Sequence, residues 1–72
     1  MKSEFEIKCL RCGKGFFKVK DMVDAMKERG HEITQQAYKN KEKGVSAFSA
    51  LEIKLMSEIL NISLEEAYEY FL

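Results

Sequence analysis

The chain has 72 residues and no proline, and its twelve lysines and arginines balance twelve aspartates and glutamates, so its formal net charge is zero. This length predicts a single domain over residues 1–72, and no apolar run is long enough to cross a membrane. Zero net charge argues against a general, charge-driven nucleic-acid binder, and because no secretory signal is visible we expect a cytoplasmic protein.

Two structures are compatible with residues 3–16. A helix would begin at Ser3 as its cap and would turn one apolar face inward. That face would consist of Phe5, Ile7, Cys9 and Leu10. A hairpin is the alternative, because the apolar residues also alternate with polar ones and Gly13-Lys14-Gly15 could form a turn. The residues of this segment do not by themselves decide between the two.

Residues 18–29 have the pattern of an amphipathic helix. Apolar side chains recur at the i, i+3, i+4 and i+7 positions of one buried face. They are Val19, Met22, Val23 and Met26. Gly30 follows, and we expect it to end the helix.

A short helix with signals for both of its ends comes next. Thr34 can accept a hydrogen bond from a free N–H group of the first turn, and Ile33 and Tyr38 occupy the positions of a hydrophobic staple. Gly44 stands where a helix needs a residue at positive φ in order to stop. Nearly every side chain between these ends is polar, so we expect them, Glu42 included, on an exposed face that is free for recognition.

Two further helices are predicted, each opened by a capping box. Ser49 and Glu52 form the first box, and Ser63 and Glu66 form the second. The helix over about residues 50–60 is expected to pack through Leu51, Leu55, Met56, Ile59 and Leu60. The last helix carries its apolar side chains on one stripe, made of Leu64, Ala67, Tyr68, Phe71 and Leu72.

Cys9 and Cys12 have the spacing of a zinc knuckle, which needs two more ligands. At the positions that would supply them stand Ala25 and Arg29. We therefore predict two reduced thiols, no bound metal and no cofactor, with a small zinc-knuckle protein and a redox-active pair as weaker alternatives. The single histidine, His31, is expected to be a solvated turn residue.

The charges are unevenly distributed along the chain. Residues 1–44 carry eleven lysines and arginines against seven acidic residues, a balance of +4, whereas residues 45–72 carry one lysine and five glutamates, a balance of −4. A basic front with an acidic back would give the molecule an oriented electric field despite its zero sum.

The run from Thr34 to Tyr38, followed by Gly44 and two further helices, resembles the lambda-repressor-like helix-turn-helix family of phage repressors and Cro proteins. The resemblance covers roughly residues 7–72, and its first helix favours the helical alternative for residues 3–16. It implies an all-α, compact five-helix bundle. The chain departs from the family in two ways. The link before Thr34 exceeds the usual three or four residues, and the phosphate-binding glutamine of the second helix is absent.

The resemblance implies a sequence-specific DNA-binding regulator of phage or prophage type that acts on double-stranded operator DNA. Glutamine can both donate to and accept from the edge of adenine, and bases would be read in the major groove by Gln35, Gln36 and Asn40. Phosphates or the groove rim would be contacted by Thr34, Lys39, Lys41, Lys43, Lys18 and Lys20. A weak homodimer would form through the last helix, at Tyr68, Phe71 and Leu72. The alternative is that this helix only completes the core.

A different function is suggested by the zero net charge, the longer link and the missing phosphate-binding glutamine. All three favour a protein-interaction module that keeps the fold without binding DNA, such as a phage antagonist of a host protein. No nucleophile–base pair, phosphate-binding loop or pair of catalytic carboxylates appears in the sequence. We therefore expect neither enzymatic activity nor a small-molecule substrate.

Overall fold

A computed structural model describes residues 1–72 as five helices without a strand. In chain order they are α1 Glu4–Gly13, α2 Val19–Glu28, α3 Gln35–Glu42, α4 Ala50–Ile59 and α5 Leu64–Phe71. The predicted all-α, five-helix fold is confirmed, and residues 3–16 contain a helix rather than a hairpin. None of the five helices combines the length and the apolar character that a membrane span requires.

Four of the helices begin at a hydroxyl residue that accepts a hydrogen bond from the N–H group three positions later. These capping residues are Ser3, Thr34, Ser49 and Ser63. The predicted box at Ser49 is complete, because Glu52 Oε1 also accepts from the Ser49 N–H at 2.7 Å. The box predicted at Ser63 is only half formed, since Glu66 makes no hydrogen bond back to the Ser63 N–H.

The ends of α2 and α3 lie at the glycines that the sequence indicated. Gly30 and Gly44 have φ angles of 84° and 83°. This left-handed conformation is one that a glycine adopts without steric cost. The chain can therefore turn sharply out of both helices, and the position of α3 is bounded by Thr34 at one end and Gly44 at the other.

The core lies mainly around α4, which packs against α5 and α2, while α3 contacts α2 and α1. Three aromatic rings link α3 to α5: Tyr38 meets Phe48 at a centroid distance of 6.1 Å, and Phe48 meets Phe71 at 5.0 Å, both edge to face. The buried apolar residues are Ile7, Met22, Met26, Tyr38, Phe48, Ile53, Leu55, Met56, Ile59, Leu60, Ala67 and Phe71.

Three side chains that were predicted to face inward are exposed: Phe5, Cys9 and Leu51. Phe5 is 74% exposed, because it stands two positions before the buried Ile7, a rotation of about 200° around the helix. Leu51 is exposed as well, since it shares the outer side of α4 with Lys54 and Glu58. The remaining apolar residues predicted to pack α4 are buried.

Candidate nucleic-acid interface

The exposed side of α3 brings most of the predicted DNA-contacting residues together. At about 100° per residue, five of them fall within one arc of about 140° around the helix axis. They are Gln35, Lys39, Lys43, Gln36 and Asn40, of which all but the half-buried Asn40 are exposed. The opposite side of α3 contacts the protein through the buried Tyr38.

Within this arc, Gln36 Nε2 donates a hydrogen bond to Asn40 Oδ1 at 3.0 Å. The bond uses one N–H of Gln36 and leaves its amide oxygen and its second N–H free. Asn40 retains both of its amide N–H donors. The two amides are therefore held together, and their free N–H groups and the free oxygen of Gln36 can hydrogen-bond to a base edge.

At the start of α3, Thr34 Oγ1 accepts from the Ala37 N–H at 3.1 Å. Its role as a helix cap, which the sequence predicted, is confirmed. Because the hydroxyl accepts in this bond, its own hydrogen remains available as a donor. Thr34 is exposed, so this donor can reach a phosphate without disturbing the cap.

The two predicted lysines outside α3 lie at the first turn of α2. Lys18 is exposed and forms no ion pair, whereas Lys20 Nζ lies 2.7 Å from Asp24 Oδ2. The hydrogen bond to Asp24 and the charge of that carboxylate raise the pKa of Lys20. Both groups of the pair are more than half exposed, so the pairing does not prevent Lys20 from meeting another anion.

Lys41 does not belong to the exposed face, and its predicted role as a phosphate contact is corrected. Its Nζ lies 2.6 Å from Glu52 Oε1 and 3.2 Å from the Ala47 carbonyl oxygen, and its side chain is only 17% exposed. The physical reason is helical geometry. Lys41 follows Lys39 by two positions and so points to the other side of α3, towards α4.

The Glu52 carboxylate joins three parts of the chain. Besides Lys41, it accepts from the Ser49 N–H and lies 2.9 Å from His31 Nε2 in the link between α2 and α3. Burial by itself raises the pKa of Glu52, but hydrogen bonds from Lys41, Ser49 and His31 outweigh it and lower that pKa to about 2. His31 is therefore a half-buried partner of Glu52, and the prediction of a solvated turn residue was wrong.

Glu42 was expected on the exposed face of α3, but its side chain is 1% exposed. Its Oε2 accepts from Arg11 Nε at 2.8 Å, and Arg11 Nη1 donates to the carbonyl oxygens of Phe16 and Phe17. A buried carboxylate needs such a partner. Periodicity contained the signal for both residues, because Glu42 stands four positions after Tyr38 and Arg11 four after Ile7.

The hydroxyl of Tyr38 is buried beside this ion pair and makes no hydrogen bond of good geometry, although the Glu42 carboxylate is close enough to act on it as an acceptor. Burial raises the pKa of Tyr38, and the charge of the neighbouring Glu42 carboxylate raises it further. The hydroxyl therefore stays protonated, and the inner side of α3 carries one polar atom without a well-formed hydrogen bond.

Acidic groups lie close to the start of α3. An open cleft of about 430 Å³ borders Thr34 there. It is lined by Val23, Asp24, Lys27, Glu32, Ile33 and Thr34. Two carboxylates, Asp24 and Glu32, line this cleft against one lysine, Lys27, and the charge of Asp24 is shared with Lys20. This side of the molecule is therefore less favourable for a phosphate than the arc on α3, which carries lysines and no exposed carboxylate.

The dimer surface predicted on α5 needs one correction. Phe71 is 2% exposed and belongs to the core, because it contacts Phe48 on the inner side of α5. Tyr68 and Leu72 are exposed, and Leu64 is exposed with them at the same four-residue spacing. An exposed apolar stripe therefore exists on α5, but it consists of Leu64, Tyr68 and Leu72.

Cys9 and Cys12 are both free thiols on α1, the first exposed and the second half-buried. No three side chains among the histidine, cysteines, aspartates and glutamates are grouped so that they could hold a metal ion. The two further ligands of a zinc knuckle are therefore not present near these thiols.

Comparisons with protein families, curated proteins and solved structures give no match to this chain.

Proposed function

We propose that this chain is a DNA-binding regulator of the phage or prophage repressor type, which places α3 in the major groove of operator DNA in a bacterial cytoplasm. The observation that carries the proposal is the surface of α3. The exposed arc contains two lysines and three amide side chains. The one glutamate of α3, Glu42, is buried and paired with Arg11, so it adds no negative charge to this surface. An arc of this composition attracts phosphates and can read base edges.

Rigidity of α3 also supports the proposal. Base reading needs side chains that a stable element holds in place. Towards its C-terminal end, α3 is joined to α1 by the Glu42–Arg11 pair and to α4 by the Lys41–Glu52 pair. Both pairs lie on the inner side of α3, so they fix the helix without using the exposed arc.

A homodimer is part of this proposal. Two-fold repressors bind paired half-sites, and the symmetry of the DNA mirrors that of the protein. The exposed stripe of Leu64, Tyr68 and Leu72 on α5 is the apolar surface that a second copy would cover. Phe71 would support this stripe from the core rather than contact the partner.

Selection from a pool of random duplexes, with the purified full chain at low salt, tests the proposal. We expect enrichment of one sequence that contains two related half-sites, and binding that weakens steeply as salt is raised. The double variant Gln35→Ala/Gln36→Ala is the control, since it should lose this preference. An unchanged pool after selection at low salt would contradict the proposal.

A protein-interaction module remains the second candidate, because Asp24 and Glu32 line the cleft beside Thr34. Carboxylates at the entrance of a recognition helix repel a phosphate backbone but suit a basic protein partner. The selection experiment separates the two functions. If no duplex is enriched, the DNA-reading role fails, and the polar arc of α3 and the adjoining cleft serve a protein partner or no partner at all.

A further inference from the structure

The two thiols of α1 are a feature that neither proposed function uses. Cys9 and Cys12 are free, and they stand three positions apart on the same helix. Residues with this spacing are neighbours on the helix surface, with about 5–6 Å between their Cβ atoms. Since a metal–sulfur bond is about 2.3 Å long, both sulfur atoms can reach a single metal ion placed between them.

The number of ligands decides which ion such a pair can hold. Zinc takes four protein ligands in a structural site, and no third ligand accompanies the two thiols. Thiolates are soft ligands and select soft ions, of which monovalent copper is the physiological example. A monovalent soft ion is satisfied by two thiolates, so the pair matches copper in its lower oxidation state better than zinc.

We propose that Cys9 and Cys12 bind one Cu⁺ ion per chain through their two sulfur atoms. On binding, each thiol loses its proton, so that one ion replaces two protons and the complex of Cu⁺ with two thiolates carries a charge of −1. No electron is transferred. The site requires no second copy of the chain and is independent of the DNA-binding role.

The two thiols lie at the surface of α1, where an ion can reach them from solvent. Cys9 is exposed and Cys12 is half-buried. Phe5 precedes Cys9 by four positions, so its exposed side chain lies on the same side of α1. Cys12 Sγ lies 4.0 Å from the carbonyl oxygen of Phe17, to which the thiol donates a weak hydrogen bond. Loss of the thiol proton ends this hydrogen bond, so the bonds to the ion have to outweigh it.

The test is a titration of the reduced full chain under anaerobic conditions. Cu⁺ is supplied as its acetonitrile complex in competition with a coloured copper chelator, and Ag⁺ serves as a stand-in that is not readily oxidised. We expect one ion per chain and the release of two protons. Cys9→Ser and Cys12→Ser should each abolish binding in the range of the titration. Circular dichroism should show unchanged helix content, because neither thiol belongs to the core.

Three results would overturn the proposal. A single-thiol variant that still binds one ion tightly would show that the sulfurs act separately. One ion per two chains, accompanied by a doubling of the mass in sedimentation, would place the site between copies. Stoichiometric Zn²⁺ binding that Cu⁺ fails to displace would show that the choice of ion is wrong.

Discussion

Arg11 and Glu42 form an ion pair that is almost completely withdrawn from water, with Arg11 Nε 2.8 Å from Glu42 Oε2. The pair joins α1 to the last residue of α3, and Arg11 also holds the connection after α1 through two carbonyl oxygens. Each of these buried charges needs the other, because a single charge in the interior would have no counter-ion and would destabilise the fold. The pair therefore couples the position of α3 to the first helix.

Removal of one partner of this pair should strongly destabilise the protein. For Glu42→Gln we expect a loss of about 3–5 kcal/mol in the free energy of unfolding, since the Arg11 charge stays buried without its counter-ion. Chemical denaturation followed by circular dichroism measures this loss. The double variant Arg11→Met/Glu42→Leu should recover part of it, because no charge is then left in the interior.

The exposed pair of Lys20 and Asp24 provides the matched control. Solvent screens this pair, so Lys20→Ala should change the free energy of unfolding by less than about 1 kcal/mol. If Glu42→Gln cost no more than Lys20→Ala, the buried pair would not hold α3 in place, and the support that rigidity gives to base reading would be lost.

Acid should destabilise the protein through Glu52. The pKa of this carboxyl is about 2 in the folded protein, below its ordinary value of 4.5. A lowered pKa means that the stabilisation is fully present above pH 4.5 and is lost as the pH falls towards 2. Unfolding midpoints measured between pH 6 and pH 2 should therefore fall more steeply for wild type than for Glu52→Gln. Glu58→Gln, at an exposed position without an ion pair, should retain the wild-type dependence.

Tyr38→Phe should leave the protein as stable as wild type or make it more stable. The Tyr38 hydroxyl is buried and makes no hydrogen bond of good geometry, and a buried polar group of this kind costs about 1–3 kcal/mol. The ring itself keeps its edge-to-face contact with Phe48 in the variant. Thermal unfolding measures the effect. A loss of more than about 1 kcal/mol would mean that the hydroxyl hydrogen-bonds to Glu42 in solution.

If α3 reads DNA, its glutamines and lysines should respond differently to substitution. Gln36→Ala should lower the preference for the selected duplex over a scrambled one by about 1–3 kcal/mol. Lys39→Ala and Lys43→Ala should instead weaken binding to all sequences, and each should make the salt dependence shallower. Binding of these variants to both duplexes at two salt concentrations distinguishes the two effects.

Lys41→Ala separates a structural lysine from a phosphate contact. Because Lys41 is bonded to Glu52, this variant should lose stability and should keep the salt dependence of wild-type DNA binding. A shallower salt dependence with unchanged stability would mean that Lys41 contacts a phosphate and is not held by Glu52.

Tyr68→Glu should change assembly and leave stability unchanged, whereas Phe71→Ala should lower stability. The first places a charge on the exposed stripe of α5, so it should yield a monomer with unchanged helix content. The second removes a core ring, at a cost of about 3–5 kcal/mol. Sedimentation and denaturation measured on both variants test this difference. Wild-type protein that is already monomeric at high concentration would exclude the dimer.

The sequence determined the helices themselves, because the signals that start and stop a helix act over three or four residues. Thr34 caps the start of α3, and Gly44 follows its end at positive φ, as the sequence predicts. In the same way, Ser49 caps the start of α4 and Gly30 follows the end of α2. The exposed arc of α3 follows from periodicity alone, and the structure keeps five of the predicted residues within it.

Only the tertiary structure decided which charged residues pair with one another. Arg11 and Glu42 are 31 positions apart, and Glu52 meets His31 across 21 positions. Pairings over such distances depend on how the helices pack, which no local pattern specifies. The same reason separates Phe71 in the core from Leu72 on the surface: adjacent residues differ by about 100° around a helix, and the neighbouring Phe48 determines which of them is covered.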